Sequence, residues 1–570
     1  MLLIFLQVSM LLSTCINAGS HCHDSSFKPN HILRVTMGNL SIGCGTTRQS
    51  HLINGTSPGP EIRLTPGKIS WIRVYNDMPS DNLTMHWHGL SQRMAPFSDG
   101  TPHTLQWPIP PMHFFDYEVF PGGDDAGTYF YHSHVGFQAV TVSGPLIVED
   151  EGKPPYQYHD ERVIELTDFF YKTDKNIAAG LLANPFVWSG ETHGVLLNGQ
   201  GVTDVVQASG NYCALPTFDL LPGKTYRFRF IGSTALSLVS LQIEGHNLTV
   251  IAADARYTQA HVTDYLQIGT GQRFDLKDLK RTTFFMKYQT KDRPPVYTGY
   301  AVFRYNSCQM FSASPAPGIS IILPNNLSSG NFPSANKVTR RLTMTFRPEG
   351  SPTGHIRWYE NNLGYTEYSS PRPLLPDVYL YGESAVPNYT LALENEGCDP
   401  EFKAWPAMIG EVLEIVIENT GSEVAGNGGL DIHPFHAHAG HYYDIGSGNG
   451  TYNATENEVR LAGYSPVLRD TTYLYKYEAA TGNGTDASWR AWRIRVTDAG
   501  AYLIHCHILQ HMIMGMQTAW VFGNATEIQK IPLAEASGYL TYGGSAYGNQ
   551  SYDPIVYHYY EDTPDEPWLR

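Results

Sequence analysis

An eight-residue pattern, Gly-x-Tyr-x-x-His-x-His, occurs twice in this chain of 570 residues, at Gly127–His134 and again at Gly500–His507. Successive side chains of a strand point to opposite faces, so each His-x-His pair presents both imidazoles to one side. A chain that carries such a strand in two distant places must repeat the scaffold around it. The expectation is a duplicated β-fold whose copies bring their imidazoles together across an interface.

Three further segments share a glycine followed by period-two alternation, at Gly67–Val74, Gly223–Phe230 and Gly410–Ile417. Such alternation reads as a strand with one buried face. The starts lie a domain length apart, which gives three related β-sandwich domains. Length fits roughly three to four domains at about 150 residues each. The 53 Gly and 37 Pro, with few long amphipathic stretches, lean the same way. Expected boundaries are 28–152, 158–334 and 375–530, with a C-terminal extension at 531–570. The middle unit's counterpart of the histidine strand is Thr283–Tyr288, which holds no histidine. Domains 1 and 3 are therefore expected to carry metal ligands and the middle one to serve as a wall.

Four His-x-His pairs stand out: His86 with His88, His132 with His134, His436 with His438, and His505 with His507. Cys506 lies inside the last pair, with His511 five and Met516 ten positions beyond it. One thiolate, two imidazoles and a weak axial thioether make the ligand set of a blue-copper electron-transfer site. His433, left over from the four pairs, supplies the second imidazole. If Cys506 faces that copper, His505 and His507 face the other way, and one short segment joins two metal sites through covalent bonds. The eight paired imidazoles suit three more coppers, two with three nitrogens and one with two. A zinc site, or ordinary core histidines, would explain one pair; neither explains four pairs together with the Cys, His and Met spacing.

His21-Cys22-His23 repeats the His-Cys-His core, but Phe27 and Ile32 stand at its +5 and +10 positions. It is expected to be incidental, at a frayed N-terminus. His103, His113, His159, His193, His246, His261, His355, His441 and His558 are assigned no metal role.

The net charge of −16 speaks against nucleic acid and anionic membranes as partners. Residues 2–13 are apolar and Ile16-Asn17-Ala18 suits cleavage, so 1–18 reads as a secretory signal peptide. N-x-[ST] sequons at Asn39, Asn54, Asn82, Asn247, Asn326, Asn388, Asn449, Asn453, Asn483, Asn524 and Asn549 point to a secreted glycoprotein. Besides Cys506, the cysteines Cys22, Cys44, Cys213, Cys308 and Cys398 remain after Cys15 leaves, an odd number for pairing.

On these motifs the chain resembles the multicopper oxidases over nearly its whole mature length, and most closely the ascorbate oxidases and fungal laccase-like relatives. His86-Trp87-His88-Gly89 followed by Gln92-Arg93 and Asp99-Gly100-Thr101 is similar to ascorbate oxidase, as is Ser233-Thr234-Ala235-Leu236. The resemblance implies three cupredoxin-like Greek-key β-sandwiches, an all-β fold, holding four copper ions. It implies a type 1 copper on His433, Cys506, His511 and axial Met516, and a type 2 copper on His86 and His436. The type 3 pair falls to His88, His132, His134, His438, His505 and His507. It further implies a Cys44–Cys213 disulfide, a proton-delivering role for Asp99, and substrate contacts from Trp188, Trp358 and His511. Leu236 stands where basidiomycete-type laccases place a substrate-binding Asp; departures are Trp107 where plant ascorbate oxidase has a disulfide Cys, and a third motif longer by one residue, His438-Ala439-Gly440-His441.

The function so implied is one-electron oxidation of phenols or diphenols, including oxidative coupling of secondary metabolites, with four electrons passed to O2 to give water. Electrons would enter through His511 or His433 at the protein surface. Met516 implies a low-to-moderate potential and electron-rich reductants. Ascorbate oxidation is the alternative. Ferrous oxidation ranks below both, because Trp188 stands where an acid would be expected and no membrane anchor is seen.

Overall fold

The computed structural model describes residues 19–43, 45–210, 214–221, 223–277, 283–305, 332–366, 372–422, 430–478 and 480–562. The signal-like segment 1–18, Cys308 and the Cys44–Cys213 pair lie outside these residues. Three β-sandwiches follow one another in the chain, each made of two packed sheets.

The alternating segments form equivalent strands. Ser70–Asn76, Tyr226–Gly232 and Val412–Thr420 each take third place in one sheet of their sandwich, parallel to the strand before them. The histidine strands are also equivalent. Gly127–His132 lies between Ser143–Val148 and His86–His88, and Gly500–Cys506 between Gln517–Phe522 and His433–Ala437. In the middle sandwich the same place, between Thr298–Tyr305 and Leu238–Ile243, is taken by Thr283–Lys291, as the sequence repeat requires.

One face of the alternating strand Ser70–Asn76 is more open, with Arg73 and Tyr75 part-buried, but the expectation of one buried face does not hold for the other two strands. Every residue of Tyr226–Gly232 and of Val412–Thr420 is buried. The polar face is covered because its charges are paired. Arg227 meets Asp275 and Asp150, while Arg229 meets Glu161 and the Thr128 hydroxyl of domain 1. The third sandwich also begins earlier than expected: Arg340–Gly350 and Ile356–Glu360 precede residue 375 yet belong to its six-stranded sheet.

The C-terminal extension returns to domain 1. Tyr547–Asn549 adds an edge strand beside His113–Val119, and Trp107 Nε1 donates to the Leu540 carbonyl at 3.0 Å. The segment that holds His21 and His23 is not frayed. Ser20–Cys22 pairs with Ile555–Tyr557, and His23 is buried with its Nδ1 2.7 Å from Asp116 and its Nε2 2.8 Å from His558. His21 and His23 are spaced for a strand face, and that face found a partner more than five hundred residues away.

Candidate metal centres

Two strand pairs bring the eight imidazoles together. In domain 1, His86 sits opposite His132 across paired strands; in domain 3, His436 sits opposite His505. His134, His438 and His507 follow just beyond the strand ends. None of the eight is more than 3% exposed. The domains then meet through these rings. His88 Nδ1 lies 3.1 Å from His507 Nε2, and His134 Nε2 lies 3.4 Å from His505 Nε2. Three triples, His86–His88–His132, His86–His436–His438 and His134–His438–His505, each gather their ligand atoms within 4.8 Å.

The outer nitrogens decide what the inner ones can do. His86, His132, His436 and His505 each donate from Nδ1 to a backbone carbonyl, of Asp99, Ser133, Asp470 and Cys506, at 2.8–2.9 Å. His438 Nδ1 lies 3.0 Å from the Asp99 carboxylate, and His507 Nδ1 2.8 Å from the Thr270 hydroxyl. A neutral imidazole that donates from one nitrogen carries a lone pair on the other. The Nε2 atoms of His86, His132 and His436 are buried without any hydrogen-bond partner. Converging lone pairs in a buried cluster repel one another unless a cation lies among them. Protons do not supply it at neutral pH, because burial pushes His132 down to about 4 and His438 to about 3, and the other six downward too. A metal ion that prefers imidazole fits this arrangement, and outer carbonyl and carboxylate acceptors are what fix the tautomer of a metal-binding histidine.

The second cluster gathers His433, Cys506 and His511 within the same 4.8 Å limit. Cys506 Sγ lies 3.7 Å from His433 Nδ1 and 3.8 Å from His511 Nδ1. Burial pushes the Cys506 thiol up, so a thiolate there needs a cation beside it. Met516 is buried, its carbonyl accepting from Cys506 N at 3.0 Å and its N–H donating to the His511 carbonyl at 2.9 Å. The loop thus closes beside the sulfur, and thiolate, imidazole and thioether together suit copper. Cys506 sits between two residues of the first cluster, so one strand end serves both.

Asp99 touches both halves of the eight-histidine cluster: its carbonyl accepts from His86 of its own domain, and its carboxylate meets His438 of the other. Burial raises its carboxyl group above the ordinary value. Asp470 escaped the sequence reading. Its carboxylate lies 3.4 Å from His88 Nε2 and is held by Arg273 of the middle domain. His441, assigned no metal role, has Nε2 3.6 Å from Asp470 and 2.7 Å from the Asp254 carbonyl, so it belongs to the same buried network.

His511 and His433 are not at the surface; they are 3% and 0% exposed. Trp358 covers them, its ring 5.1 Å and 4.9 Å from theirs. Trp188 is half-buried, and Leu236 is buried in the core that includes Cys506. Three charged residues missed in the sequence, Glu191, Arg293 and Asp431, lie alongside. No spacing marks them, since they come from three loops far apart in the chain.

Family models described as multicopper oxidase match residues 34–153, 160–307 and 371–525. The chain is 46% identical to the laccase-like multicopper oxidase 1 of Thermothelomyces thermophilus, over 97% of this chain and 96% of that one. It is 28% identical to the L-ascorbate oxidase of Cucumis sativus, over 83% and 85%. Among solved structures, Fet3p, a multicopper oxidase that functions in iron import, superposes with a TM-score of 0.71 at 20% identity, over 86% of this chain and 90% of that one.

Proposed function

The chain belongs to the multicopper oxidase family, and from that premise we propose that it is a secreted laccase-like oxidase of phenolic and diphenolic reductants. The observation that carries the reading is the place of Cys506: its sulfur faces His433 and His511, while its neighbours His505 and His507 face the other cluster. Copper bound here would supply one-electron acceptance at the His433–Cys506–His511 cluster and four-electron reduction of O2 to water at the eight-histidine cluster. We assign His433, Cys506, His511 and axial Met516 to a type 1 ion. His86 and His436 would hold a type 2 ion, and His88, His132, His134, His438, His505 and His507 a type 3 pair.

The chain's own residues divide the work. Trp358 presses on the His433 and His511 rings and keeps water from them. Cys506 links the clusters through its backbone to both neighbouring histidines. Asp99 holds His438 in one tautomer and is placed to keep a proton beside the cluster. The separation of the clusters keeps partly reduced oxygen away from the organic radicals, which couple or react further outside the protein. Secretion rests on the signal-like segment at residues 2–13. Among the described residues no helix is long and apolar enough to cross a membrane.

Two other readings have a specific observation behind them. Trp188 and Trp358 would suit the flat lactone of ascorbate, and an ascorbate oxidase is among the relatives. Asp431, 3.5 Å from His511 Nε2, gives ferrous oxidation the acid that the sequence reading did not find. That acid is ion-paired with Arg293, which leaves it poorly placed to hold a metal cation. Oxygen uptake by the purified holoenzyme with a diphenol, ascorbate and ferrous ion side by side is the test. The diphenol should give the highest kcat/KM; a clear preference for ferrous ion would overturn the reading.

A further inference from the structure

The outward nitrogen of His511 faces charge. Its Nδ1 points to Cys506, and its Nε2 lies 3.5 Å from the Asp431 carboxylate. Arg293 pairs with Asp431 and also reaches Glu191 Oε1 at 3.2 Å. The guanidinium lies 5.4 Å over the Trp188 ring, whose Nε1 donates to Glu191 at 3.2 Å. Two carboxylates with one guanidinium between them leave one negative charge at the place where an electron must enter. Lys476 has Asp292 as a counter-charge, and Lys172, whose Nζ donates to the Trp188 carbonyl at 3.1 Å, is exposed, so solvent and salt screen it. The side chains of Asp431, Arg293 and Glu191 are 16–22% exposed, open enough for a small molecule to reach yet shielded enough that solvent does not cancel the field.

We infer that Asp431 and Glu191, with Arg293 pinned between them, form a net-anionic rim that sorts reductants by charge. Uncharged and cationic aromatic donors reach the His511 edge, and monoanions are turned away. The inference rests on the proposed reading and deepens it. Ascorbate is a monoanion at neutral pH and most simple phenols are uncharged, so the rim separates the two substrate classes that the tryptophans alone leave equal. Surface fields of this kind change encounter rates by about 10- to 1000-fold and fade as salt is added.

The test uses the holoenzyme and three catechols that share one ring and differ in a single side chain, uncharged, ammonium or carboxylate. At low salt kcat/KM should fall in the order ammonium, uncharged, carboxylate, with the spread carried by KM and shrinking as salt is raised. The whole chain is formally −16, which favours the same order, so the variants are decisive. Asp431→Asn and Glu191→Gln should each narrow the ammonium-to-carboxylate ratio by about tenfold, and Arg293→Gln should widen it. Binding of the three O,O-dimethyl ethers, measured by calorimetry, should follow the same order without any turnover. If all three catechols are oxidised but neither carboxylate variant narrows the ratio, the rim is overturned and the phenol-oxidase reading stands. If none is oxidised while the ethers still bind in the order of their charge and a carboxylate variant narrows that order, that reading falls and the rim stands. Should Asp431→Asn not fold, Glu191→Gln alone carries the test.

Discussion

Asp99 of domain 1 reaches across to His438 of domain 3, its Oδ2 lying 3.0 Å from the imidazole Nδ1. The orientation of one domain's candidate ligand is therefore set by the other domain's carboxylate. Loss of such an outer partner lowers metal affinity or activity by about 10- to 100-fold in histidine sites. Asp99→Ala should lower O2 uptake by about that factor and reduce the copper retained, counted by atomic absorption. The blue absorption of the Cys506 centre should persist, because Asp99 does not touch it.

Removing the thiolate should take the colour as well as the activity. Cys506→Ser should abolish the strong blue absorption and all oxidase activity. If the colour survives, the assignment of this residue is wrong.

Met516 closes the loop beside Cys506 through two backbone hydrogen bonds that a leucine keeps. Met516→Leu should retain the blue colour and raise the potential read by redox titration. An unchanged potential would exclude Met516 as axial ligand.

Arg273 joins the middle domain to the cluster by its pair with Asp470, both side chains being fully buried. Removing one partner of a buried pair strands the other charge, at about 3–5 kcal/mol. Arg273→Met should lower the thermal midpoint accordingly, and adding Asp470→Asn should recover part of the loss. Additive losses would show that the pair is not the reason.

Glu118 accepts hydrogen bonds from Tyr559 N at 2.7 Å and Tyr560 N at 3.2 Å, anchoring the returning extension. Burial nevertheless raises its carboxyl group to about 8 from 4.5. The folded state therefore holds a proton that the unfolded state releases, and this contribution is full below 4.5 and is lost as pH rises to about 8. Thermal midpoints across that window should fall with rising pH for the native chain and fall less for Glu118→Gln. Parallel curves would exclude Glu118 as the cause.

What the sequence made legible was what repeats locally. Period-two alternation and His-x-His spacing depend on neighbours along one strand, so they disclosed three sandwiches and the eight imidazoles. Asp470, Arg273, Asp431 and Glu191 act through partners in other loops or domains, and a carboxylate in a loop has no period to mark it. His23 shows the same limit. Its motif was visible, but its partners Asp116 and His558 are fixed only when both ends of the chain fold onto domain 1.

The edge strand Tyr547–Asn549 completes a domain 1 sheet whose neighbouring strand, His113–Val119, lies roughly 430 residues earlier. At synthesis rates of about 5–20 residues per second, that is a wait of about 20 to 90 seconds. Throughout it the earliest domain to emerge carries an unpaired β-edge, the kind of surface that pairs with other chains. Yield from a host should then depend on how quickly translation reaches residue 547, and on whatever guards that edge meanwhile.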